Sequence, residues 1–523
     1  MPTNSALQPS PSGAVVVLQA AVASGVSVCF ANPGTTEMPL VGALDQVQGI
    51  RAILGLFEGV CTGAADGYGR MLGRPASTLL HLGPGLANGL ANLHNARRAR
   101  TSILNIVGDH ASWHLKYDAP LTSDIESLAR PVSAWYRSVA RAEHLWQDTL
   151  DGIHAAFAAP GGVATLVVPV DFQQRAAPDQ LRADALPAPA PAFDEARVGE
   201  VEDALKSGRA VVLLLGDRAL SERGQLAAGR IAATTGARLF SETFPARTER
   251  GGGLPDIDRL PYFPEAAIAG LKDAVVVLAG ALAPVAYFGY EGLPSELASV
   301  DQLVTLALPG EAADLALERL AERLNAPPLP TLPATALYSV PDGPLTPQAI
   351  GRLLSNALPP EAIVSVEGGT CGYPFVTASA RAAHHTILTN TGGAIGQGLP
   401  VALGAAVACP ERRVFALQSD GSAQYTIQAL WTMARERLPV VMLIASNRRY
   451  GILQTELGRN GIEPGQQARR LTLLDDPPFD WPALAQGYGV PALIASTTEE
   501  LRRALTQALQ HTDGPLLIEM RLA

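Results

Sequence analysis

Cysteine is scarce in this sequence of 523 residues, which contains four of them. Cys29, Cys61, Cys371 and Cys409 are isolated in apolar or glycine-rich surroundings, with neither CxxC nor Cys/His spacing. A zinc site or a disulfide framework needs cysteines at paired spacings. We therefore predict buried thiols in a reducing compartment rather than metal ligands or a nucleophile.

Basic residues are also in deficit. Lysine and arginine number 39 against 49 aspartates and glutamates, so the formal net charge is −10. This balance argues against broad binding to nucleic acid or to anionic membranes. The N-terminal stretch MPTNSALQPSPSG lacks the basic start and apolar core of a secretory signal, and runs such as AVVVLAGALA are too short to cross a bilayer. We expect a cytoplasmic protein.

Hydrophobic residues are plentiful, at 47% of the chain against 17% charged residues. The length suits three domains at about 150 residues per domain. Two proline-rich stretches, residues 176–196 and 325–347, disfavour both helix and central strand and are typical of linkers. We therefore predict three domains that cover residues 1–178, 195–325 and 345–523.

Short apolar, β-branched runs alternate with helix-like segments in each of these parts. The runs are GVSVCFAN, ASTLLHL, TSILNIVG and VATLVVPV in the first part, AVVLLLG, DAVVVLAG and QLVTLAL in the second, and AIVSVEG, RRVFALQSDG, VVMLIASN and PLLIEMRL in the third. Such runs, separated by helices, are typical of parallel sheets covered on both faces. The sequence predicts an α/β fold with three doubly wound parallel-sheet domains, whose ligands lie at the carboxyl ends of strands.

Two neighbouring strand ends carry oxygen ligands. Asp420 closes RRVFALQSDG, and Asn447 closes the strand one strand-helix-strand unit later. At one sheet edge, a carboxylate and an amide oxygen suit Mg²⁺. Gly421 and Ser422 begin the next helix, and the turn EGGTCG (367–372) follows another strand, so both offer N–H groups to phosphate. Taken alone, Asp420 is better explained as a helix cap, and Asn447 as a turn residue, but together with the two glycine turns these features predict a diphosphate ligand.

The segment SDGSAQYTIQALWTMARERLPVVMLIASNRRYG resembles the cofactor signature of thiamine-diphosphate enzymes. The similarity is greatest to benzoylformate decarboxylase and the acetolactate synthase group, and it extends over nearly the whole chain. It implies a pyrimidine-binding domain, a middle domain and a diphosphate-binding domain in the order of the three predicted parts. It also implies thiamine diphosphate and Mg²⁺ as cofactors.

The resemblance assigns residues to the cofactor. Asp420, the Asn447 side chain and the Arg449 carbonyl would hold Mg²⁺. The diphosphate would be held by Gly369, Thr370, Gly421, Ser422, Tyr450 and Gly451. Ser419 departs from the family pattern, which has glycine there, so the geometry of this turn is in question.

Glu58 follows the apolar run RAILGLF and precedes a helix of small residues. Burial at a strand end would disfavour its charged form and suit proton exchange near neutrality; the alternative is a carboxylate stabilised at a helix start. The resemblance implies that Glu58 protonates N1′ of the aminopyrimidine. It also implies that the Gly393 carbonyl accepts from the 4′-amino group and that Ile395 keeps the cofactor bent.

The loop NPGT follows the first strand. The resemblance implies that its Pro33 lies beside the cofactor. It also places Thr35 where benzoylformate decarboxylase has a hydroxyl residue that contacts the substrate carboxylate. His81, at another strand end, matches a catalytic histidine of that enzyme; a buried structural histidine is the alternative. His110 and His114 stand at i, i+4, without a third ligand or HExxH, and indicate a polar loop near the active site rather than a metal pair.

Other positions depart from the benzoylformate decarboxylase pattern. Tyr287, Phe288 and Tyr290 stand in the region of its second catalytic histidine, and Glu456 replaces an aromatic pocket residue. An aryl-lined pocket is therefore not expected. The middle part shows no flavin-binding signature, so FAD is not expected either.

The resemblance implies non-oxidative decarboxylation of a small 2-oxo acid, with release of an aldehyde or carboligation to a second carbonyl compound. Alternatives are an acetolactate-synthase-like or benzaldehyde-lyase-like carboligase, and a thiamine-diphosphate-binding protein without catalysis. A nicotinamide dehydrogenase is disfavoured because no GxGxxG follows the first strand. The family places each cofactor between two subunits, so we expect at least a homodimer and predict a homotetramer.

Overall fold

The structure is a computed structural model, and it describes residues 10–177, 192–330 and 337–523. Parts of both predicted linkers lie outside the described residues. The elements alternate between strand and helix along most of the chain.

The strands are short, and most are apolar. They are β1 (Val28–Asn32), β2 (Arg51–Leu54), β3 (Ala76–His81), β4 (Ile103–Asp109), β5 (Trp135–Ser138), β6 (Val163–Pro169), β7 (Val211–Leu215), β8 (Arg238–Ser241), β9 (Arg247–Arg250), β10 (Asp258–Arg259), β11 (Val275–Ala279), β12 (Leu303–Ala307), β13 (Ala362–Val366), β14 (His385–Thr389), β15 (Val414–Ser419), β16 (Val440–Ser446), β17 (Ala492–Ala495) and β18 (Leu516–Arg521).

The helices connect these strands. They are α1 (Gly13–Ala23), α2 (Met38–Leu44), α3 (Glu58–Leu72), α4 (Leu82–Ala99), α5 (Ile125–Ala129), α6 (Leu145–Phe157), α7 (Val170–Gln174), α8 (Glu195–Lys206), α9 (Glu222–Thr235), α10 (Pro264–Leu271), α11 (Ala313–Arg323), α12 (Pro347–Ala357), α13 (Gly369–Ala378), α14 (Gly398–Ala408), α15 (Asp420–Ala423), α16 (Ala429–Arg435), α17 (Gly451–Arg459), α18 (Gln466–Thr472), α19 (Trp481–Gly487) and α20 (Thr498–Gln510).

The first sheet has six parallel strands in the order β2-β1-β3-β4-β6-β5. The chain adds β2 on one side of β1 and then β3 on the other side. The loop after β1, which begins at Pro33, and the start of α4 at Leu82, directly after β3, therefore meet at a topological switch point, where ligands of such sheets bind.

The second and third sheets have the same kind of switch point. The second has five parallel strands in the order β10-β8-β7-β11-β12, and its switch point lies between β7 and β11. The third has seven strands in the order β17-β18-β16-β15-β13-β14-β9, and its switch point lies between β13 and β15. β9 is the exception in this sheet, because it pairs antiparallel with β14.

The central strands are apolar on both faces because helices cover both sides of each sheet. Every residue of β4, β6 and β16 is buried. Each apolar run taken from the sequence as a strand is a strand in the structure, so the predicted α/β fold with three doubly wound sheets is confirmed.

The described residues form two compact units. The first comprises Met1–Pro189 in its described part, with Gly392–Cys409 and Thr426–Glu436. It contains the first sheet and a core that includes Leu40, Leu104 and Leu166. The second comprises the described remainder of the chain and contains the second and third sheets. The boundaries predicted for three domains stay a prediction.

Among the described residues, no helix combines the length and the hydrophobicity that a membrane crossing requires.

Candidate functional site

Asp420 lies where β15 meets α15, at the switch point of the third sheet. The side chain is 1% exposed. Its Oδ1 accepts from the N–H of Gly421 at 2.9 Å, and its Oδ2 accepts from the N–H of Arg448 at 2.6 Å. Burial raises the pKa of this carboxyl, and the backbone N–H groups act in the opposite direction.

Asn447 follows β16, the strand next to β15. Its Nδ2 donates to the Thr370 hydroxyl at 3.2 Å, and its Oδ1 accepts from the N–H of Arg449 at 3.1 Å. The segment after it pairs with the end of α18 through the Arg448 carbonyl and the Tyr450 N–H. That pairing does not use the Arg449 carbonyl, which the sequence analysis assigned to the metal.

The turn after β13 lies against the turn after β15. Gly368 has φ +108°, a conformation that side chains rarely adopt, and a Cβ there would lie 2.0 Å from the Ser419 hydroxyl. The departure at Ser419 is thus accommodated by glycine on the facing turn. Gly421 is likewise covered by the ring of Tyr450, which would be 2.4 Å from a Cβ there.

These residues fit a magnesium diphosphate. Asp420 is a buried carboxylate that accepts hydrogen bonds from the backbone N–H groups of Gly421 and Arg448. Carboxylate, amide and carbonyl oxygens are hard ligands of the kind that Mg²⁺ takes in small numbers beside phosphate. The first N–H groups of α13, from Gly369 onward, have no acceptor within their own helix and suit an anion.

Glu58 belongs to the first unit and is the first residue of α3. It is 8% exposed, as the sequence analysis expected of a buried carboxyl group. Its Oε2 accepts from Nδ2 of Asn88, on α4, at 3.0 Å. A Cβ on Gly85 would lie 3.2 Å from Glu58 Oε1 and 3.3 Å from the Cβ of His81. The structure thus brings Glu58 and His81 to the same turn of α4.

His81 ends β3, at the switch point of the first sheet, and is held by Glu37. Its Nδ1 lies 2.8 Å from Oε2 of Glu37. That oxygen also accepts from the N–H of Gly34 at 2.8 Å, and the Thr36 hydroxyl donates to Oε1 at 2.6 Å. Glu37 is 0% exposed. It therefore fixes both the loop after β1 and one nitrogen of the histidine ring.

The close packing around Glu37 depends on two glycines. A Cβ on Gly108, in β4, would lie 1.8 Å from Glu37 Oε1, and a Cβ on Gly34 would lie 2.3 Å from Cγ of His81. The carboxylate and the imidazole fill the space that these residues leave. Larger residues at either position would displace His81.

Thr35 is exposed. The hydroxyl oxygen of the neighbouring Thr36 lies 3.3 Å from Nδ1 of His81. Thr36 is thus the threonine that contacts His81 in the structure. Pro33 is partly buried in the same loop. The role predicted for Thr35 at a substrate carboxylate stays a prediction.

The segment with Gly393 and Ile395 belongs to the first unit and is held by α4. His94 Nε2 lies 3.1 Å from the Gly392 carbonyl, and Asn95 Nδ2 donates to the Ala394 carbonyl at 2.8 Å. Gly393 has φ +79° and is exposed, and Ile395 is partly exposed. Both residues are therefore accessible for the contacts predicted for them.

His110 and His114 lie on an exposed loop after β4. Their rings are 5.5 Å apart in an edge-to-face arrangement. Within the described ranges, no group of three or more His, Cys, Asp or Glu residues could hold a metal ion. The interpretation of these two histidines as part of a polar loop near the active site stays a prediction.

The residues that depart from the benzoylformate decarboxylase pattern contact one another in the second unit. The Tyr290 hydroxyl donates to Oε1 of Glu456, on α17, at 3.1 Å. One turn later, Arg459 pairs with Glu265 at 2.7 Å and lies 4.6 Å from the ring centre of Tyr290. Tyr287 and Phe288 are exposed on the same loop as Tyr290. A charged and phenolic surface therefore occurs in place of the aromatic pocket residue.

A carboxylate fills the switch point of the second sheet. A Cβ on Gly216, after β7, would lie 2.8 Å from Oε2 of Glu242 and 2.7 Å from the carbonyl oxygen of Gly280, after β11. The N–H of Leu282 donates to Glu242 Oε1 at 3.3 Å. A negative charge and tight backbone contact at this place disfavour the phosphates of a dinucleotide.

All four cysteines are buried and lie outside any disulfide of the described residues, which confirms the prediction of buried thiols. Burial raises the pKa of Cys29 to about 11 and that of Cys371 to about 12, and it also raises the pKa of Cys61. Thiols of this kind are poor nucleophiles at neutral pH.

Sequence reasoning missed Glu37, Thr36, Asn88 and Gly368. Glu37 stands three residues after Gly34, at a short 3₁₀ turn (Thr35–Glu37), and its side chain bonds back to the Gly34 N–H as in a capping box. That spacing is a visible signal for the local bond. It does not reveal the contact with His81, which depends on how β1 and β3 pair.

Two sequence models of protein families match the chain. Residues 369–520 match the C-terminal TPP binding domain of thiamine pyrophosphate enzymes, and residues 11–128 match the N-terminal TPP binding domain. The two matches include the segments of Asp420 and Asn447 and of Glu58 and His81, respectively.

Curated relatives and solved structures match almost the whole chain. The "Putative acetolactate synthase large subunit IlvX" of Mycobacterium tuberculosis is 47% identical over 97% of this chain and 98% of its own length. Benzoylformate decarboxylase of Pseudomonas aeruginosa is 32% identical over 95% of this chain and 96% of its own length. The thiamine diphosphate-dependent 4-hydroxybenzoylformate decarboxylase of Rhodococcus jostii RHA1 superposes with a TM-score of 0.83 at 25% identity, covering 98% of this chain and 99% of that one. The chain belongs to the thiamine pyrophosphate enzyme family, in its decarboxylase and acetolactate synthase branch.

Proposed function

We propose that this protein catalyses the Mg²⁺-dependent, non-oxidative decarboxylation of a small 2-oxo acid at thiamine diphosphate. The observation that carries the proposal is Glu58, a buried carboxylate at the start of α3 that Asn88 holds in place beside His81. Binding of the cofactor alone needs only metal and phosphate ligands. A second, buried carboxylate beside a histidine is what proton transfer requires.

Each group of residues would have its own role. Asp420, Asn447 and the Arg449 carbonyl would hold Mg²⁺, and the N–H groups of α13 and α15 would hold the diphosphate. Glu58 would hold or release a proton at its carboxyl group, facing the pyrimidine ring. When bound, thiamine diphosphate supplies the nucleophilic carbon and the electron sink for loss of CO₂.

His81 is the candidate for proton transfer to the product. Glu37 and Thr36 occupy its Nδ1, which leaves Nε2 as the nitrogen for the exchange. A buried carboxylate on Nδ1 orients the ring. The resemblance to benzoylformate decarboxylase assigns Tyr290 and Glu456 to the substrate side of the site. Because these two residues are polar and hydrogen-bonded to each other, we expect a substrate side chain smaller or more polar than a phenyl ring.

A second candidate is carboligation, in which the two-carbon or longer fragment is added to another carbonyl compound. It is favoured by the name of the relative at 47% identity, an acetolactate synthase large subunit. Glu242 at the second sheet disfavours a flavin, so we do not include FAD in either reaction. Analysis of products distinguishes an aldehyde from a hydroxy ketone or an acetohydroxy acid.

We further propose a cytoplasmic homotetramer, with a homodimer as the minimum. Sedimentation velocity with and without thiamine diphosphate and Mg²⁺ tests this assembly. A monomer in both conditions would contradict it.

The central experiment uses purified protein with thiamine diphosphate, Mg²⁺ and a panel of 2-oxo acids that carry aliphatic, aromatic and charged side chains. CO₂ release and product identity are followed. We expect turnover with at least one acid, and a decrease of about 100-fold or more for Glu58→Gln, because general acid–base catalysis contributes about 10²–10⁴-fold. Glu411→Gln, at an exposed glutamate, is the control. Equal rates for wild type and Glu58→Gln would contradict the proposal.

The metal assignment has its own test. Asp420→Ala removes the carboxylate ligand, and the affinity for thiamine diphosphate in the presence of Mg²⁺ should fall by more than the roughly 10- to 100-fold that loss of an outer-shell partner costs. Calorimetry measures the affinity, and Asp513→Ala, at an exposed aspartate, is the control. Unchanged affinity in Asp420→Ala would remove Asp420 from the metal site.

A further inference from the structure

One arginine of the second sheet has no acidic partner among the residues that the structure describes. Arg259, in β10, donates from Nε to the Thr243 carbonyl at 2.8 Å and from Nη2 to the same oxygen. Its guanidinium carbon lies 5.0 Å from the ring centre of Phe244 and 4.7 Å from that of Tyr373. The Thr243 carbonyl takes two of the five N–H groups of the guanidinium, which leaves three for another acceptor.

The surroundings do not compensate this charge. In the described part of the chain, the titratable groups that act on Arg259 are Tyr373, Tyr287 and Arg250, and none of them is a carboxylate. Burial lowers the pKa of Arg259 accordingly. A desolvated cation without a counter-charge is costly, and aromatic faces recover only part of the cost. A role limited to packing would be served at lower cost by an uncharged side chain.

A cavity of about 350 Å³ lies next to this arginine. Its walls include Arg259, Tyr373 and Thr377. Two aspartates also line it, but Asp256 is paired with Arg250 at 2.8 Å, and Asp258 is exposed to solvent. Among the described residues that line the cavity, Arg259 is therefore the cation that no carboxylate pairs with.

The cavity adjoins the predicted diphosphate cradle. Tyr373 lies on α13, one turn after Gly369, and its Cε2 would be 3.4 Å from a Cβ on that glycine. Phe244 continues the aromatic wall from Tyr373 to Tyr287, with ring centres 6.4 Å and 5.2 Å apart. The same helix thus offers its N-terminus to phosphate and a phenol to the cavity.

We propose that this cavity is a carboxylate-binding site in which the guanidinium of Arg259 and the hydroxyl of Tyr373 hold the anion. Arginine donates to carboxylates through charge-assisted hydrogen bonds, which are stronger than neutral ones. The carboxylate belongs either to the 2-oxo acid itself, in which case the inference rests on the proposed function, or to a separate small acid. The shared chemistry is a carboxylate that enters beside Tyr373.

Calorimetric titration of the thiamine-diphosphate- and Mg²⁺-loaded protein with succinate and with acetate tests the site. Saturable binding is expected in the wild type, and Arg259→Gln should weaken it by about 10- to 100-fold, the range for loss of a charged hydrogen bond. Arg230→Gln is the matched control, because Arg230 also donates from Nε and Nη2 to one main-chain carbonyl, that of Ala326. Arg230→Gln removes hydrogen bonds of the same kind at a place outside the cavity, so it should leave succinate binding unchanged.

Tyr373→Phe and Arg259→Lys keep the test decisive if Arg259→Gln does not fold. Tyr373→Phe retains the ring but loses the hydroxyl, and it should weaken succinate binding severalfold. Arg259→Lys retains the charge but loses the guanidinium, and it should also bind succinate more weakly than the wild type. The double variant, which carries both changes, should bind succinate more weakly than Arg259→Lys. Equal binding by the wild type and these variants, or no binding of either acid to the wild type, would overturn the site.

Steady-state kinetics on the 2-oxo acid identified by CO₂ release separates the two sources of the carboxylate. A rise in KM with kcat retained in Arg259→Gln identifies the carboxylate of the substrate. An unchanged KM with loss of succinate binding identifies a separate acid. Absence of turnover in the wild type would refute the proposed function and leave the calorimetric result on the site intact.

Discussion

Ser419 and Gly368 share one small volume at the predicted diphosphate cradle. The serine hydroxyl occupies the place where a side chain at position 368 would begin, 2.0 Å from an added Cβ. The two turns that meet at the switch point of the third sheet are therefore not independent. A residue change in one turn alters what the other tolerates.

The coupling between these residues is measurable. Gly368→Ala should reduce both the melting temperature and the affinity for thiamine diphosphate, because of the clash with Ser419 and the strain of alanine at φ +108°. Ser419→Gly should remove the clash but not the strain, so the double variant should recover part of the loss, with a coupling energy of about 0.5–3 kcal/mol. Additive effects in the cycle would show that the two turns do not interact.

Glu37 presents a second test at the scale of one residue. Glu37→Gln replaces one carboxylate oxygen by an amide nitrogen. At the Oε2 position this nitrogen takes the acceptor from both the Gly34 N–H and His81 Nδ1, and at the Oε1 position it takes the acceptor from the Thr36 hydroxyl. We expect kcat/KM to fall by about 10- to 100-fold, because the imidazole of His81 loses the bond that orients it. Thr36→Val, which removes a neutral hydroxyl at 3.3 Å from His81, should have a smaller effect. An unchanged kcat/KM in Glu37→Gln would contradict the positioning role.

At the scale of elements, α3 and α14 touch backbone to backbone through glycines. A Cβ on Gly404 would lie 1.9 Å from the Ala64 carbonyl oxygen, and a Cβ on Gly67 would lie 2.1 Å from that of Val401. Small residues on facing helices permit this distance. The contact fixes the helix that follows Gly393 and Ile395 against the helix that begins with Glu58.

Gly404→Ala should separate the two helices and destabilise the protein by about 1–3 kcal/mol. We also expect weaker binding of thiamine diphosphate, since the segment before α14 moves with the helix. Gly458→Ala, in α17, meets nothing within 4 Å and should be neutral or stabilising by up to about 1 kcal/mol. Thermal unfolding of both variants measures the difference, and equal destabilisation would contradict the packing argument.

His385, the first residue of β14, makes the stability of the fold depend on pH. Burial lowers its pKa to about 4 from an ordinary 6.5, with Arg250 and His384 acting in the same direction. A histidine kept neutral by the fold contributes full stability above pH 6.5 and loses it as the pH falls towards 4. The loss by pH 5 is about 2 kcal/mol at 1.36 kcal/mol per pKa unit.

Urea unfolding at pH 7.5 and pH 5.0 tests this dependence. His385→Gln should show a smaller loss of stability between the two pH values than the wild type. His144→Gln, at an exposed histidine, should behave as the wild type does. The same pH dependence in all three proteins would show that other groups determine acid stability.

At the scale of the whole molecule, the sequence predicts the apolar strands and the kind of fold, because burial on both faces selects continuous runs such as those of β4 and β16. The spacing from Asp420 to Asn447 also predicts that both lie at one sheet edge, and they do. Strands such as β9, with the sequence RTER, carry no such pattern. Their assignment depends on a partner strand far along the chain.

Local sequence pattern also identifies only part of the candidate site. Asp420 and Glu58 stand at strand ends that local pattern identifies, so both were candidates from sequence. Glu37 and Arg259 differ, because their significance depends on what the fold places beside them: His81 from β3 for Glu37, and Phe244 and Tyr373 for Arg259. Contacts between elements distant in sequence are set by topology and register, which local periodicity does not contain.

The antiparallel pairing of β9 with β14 bears on how the chain is made. Residues 247–250 leave the ribosome long before His385–Thr389, so the third sheet cannot close its edge until a strand synthesised much earlier docks onto it. A fragment that begins at residue 345 would lack β9 and present β14 as a bare edge, which is a template for aggregation. A recombinant fragment of the diphosphate-binding part should therefore begin upstream of residue 247 if it is to fold as it does in the full chain. In a nascent chain that stalls before β14, strand β9 has no partner strand and is a site where chaperones would bind.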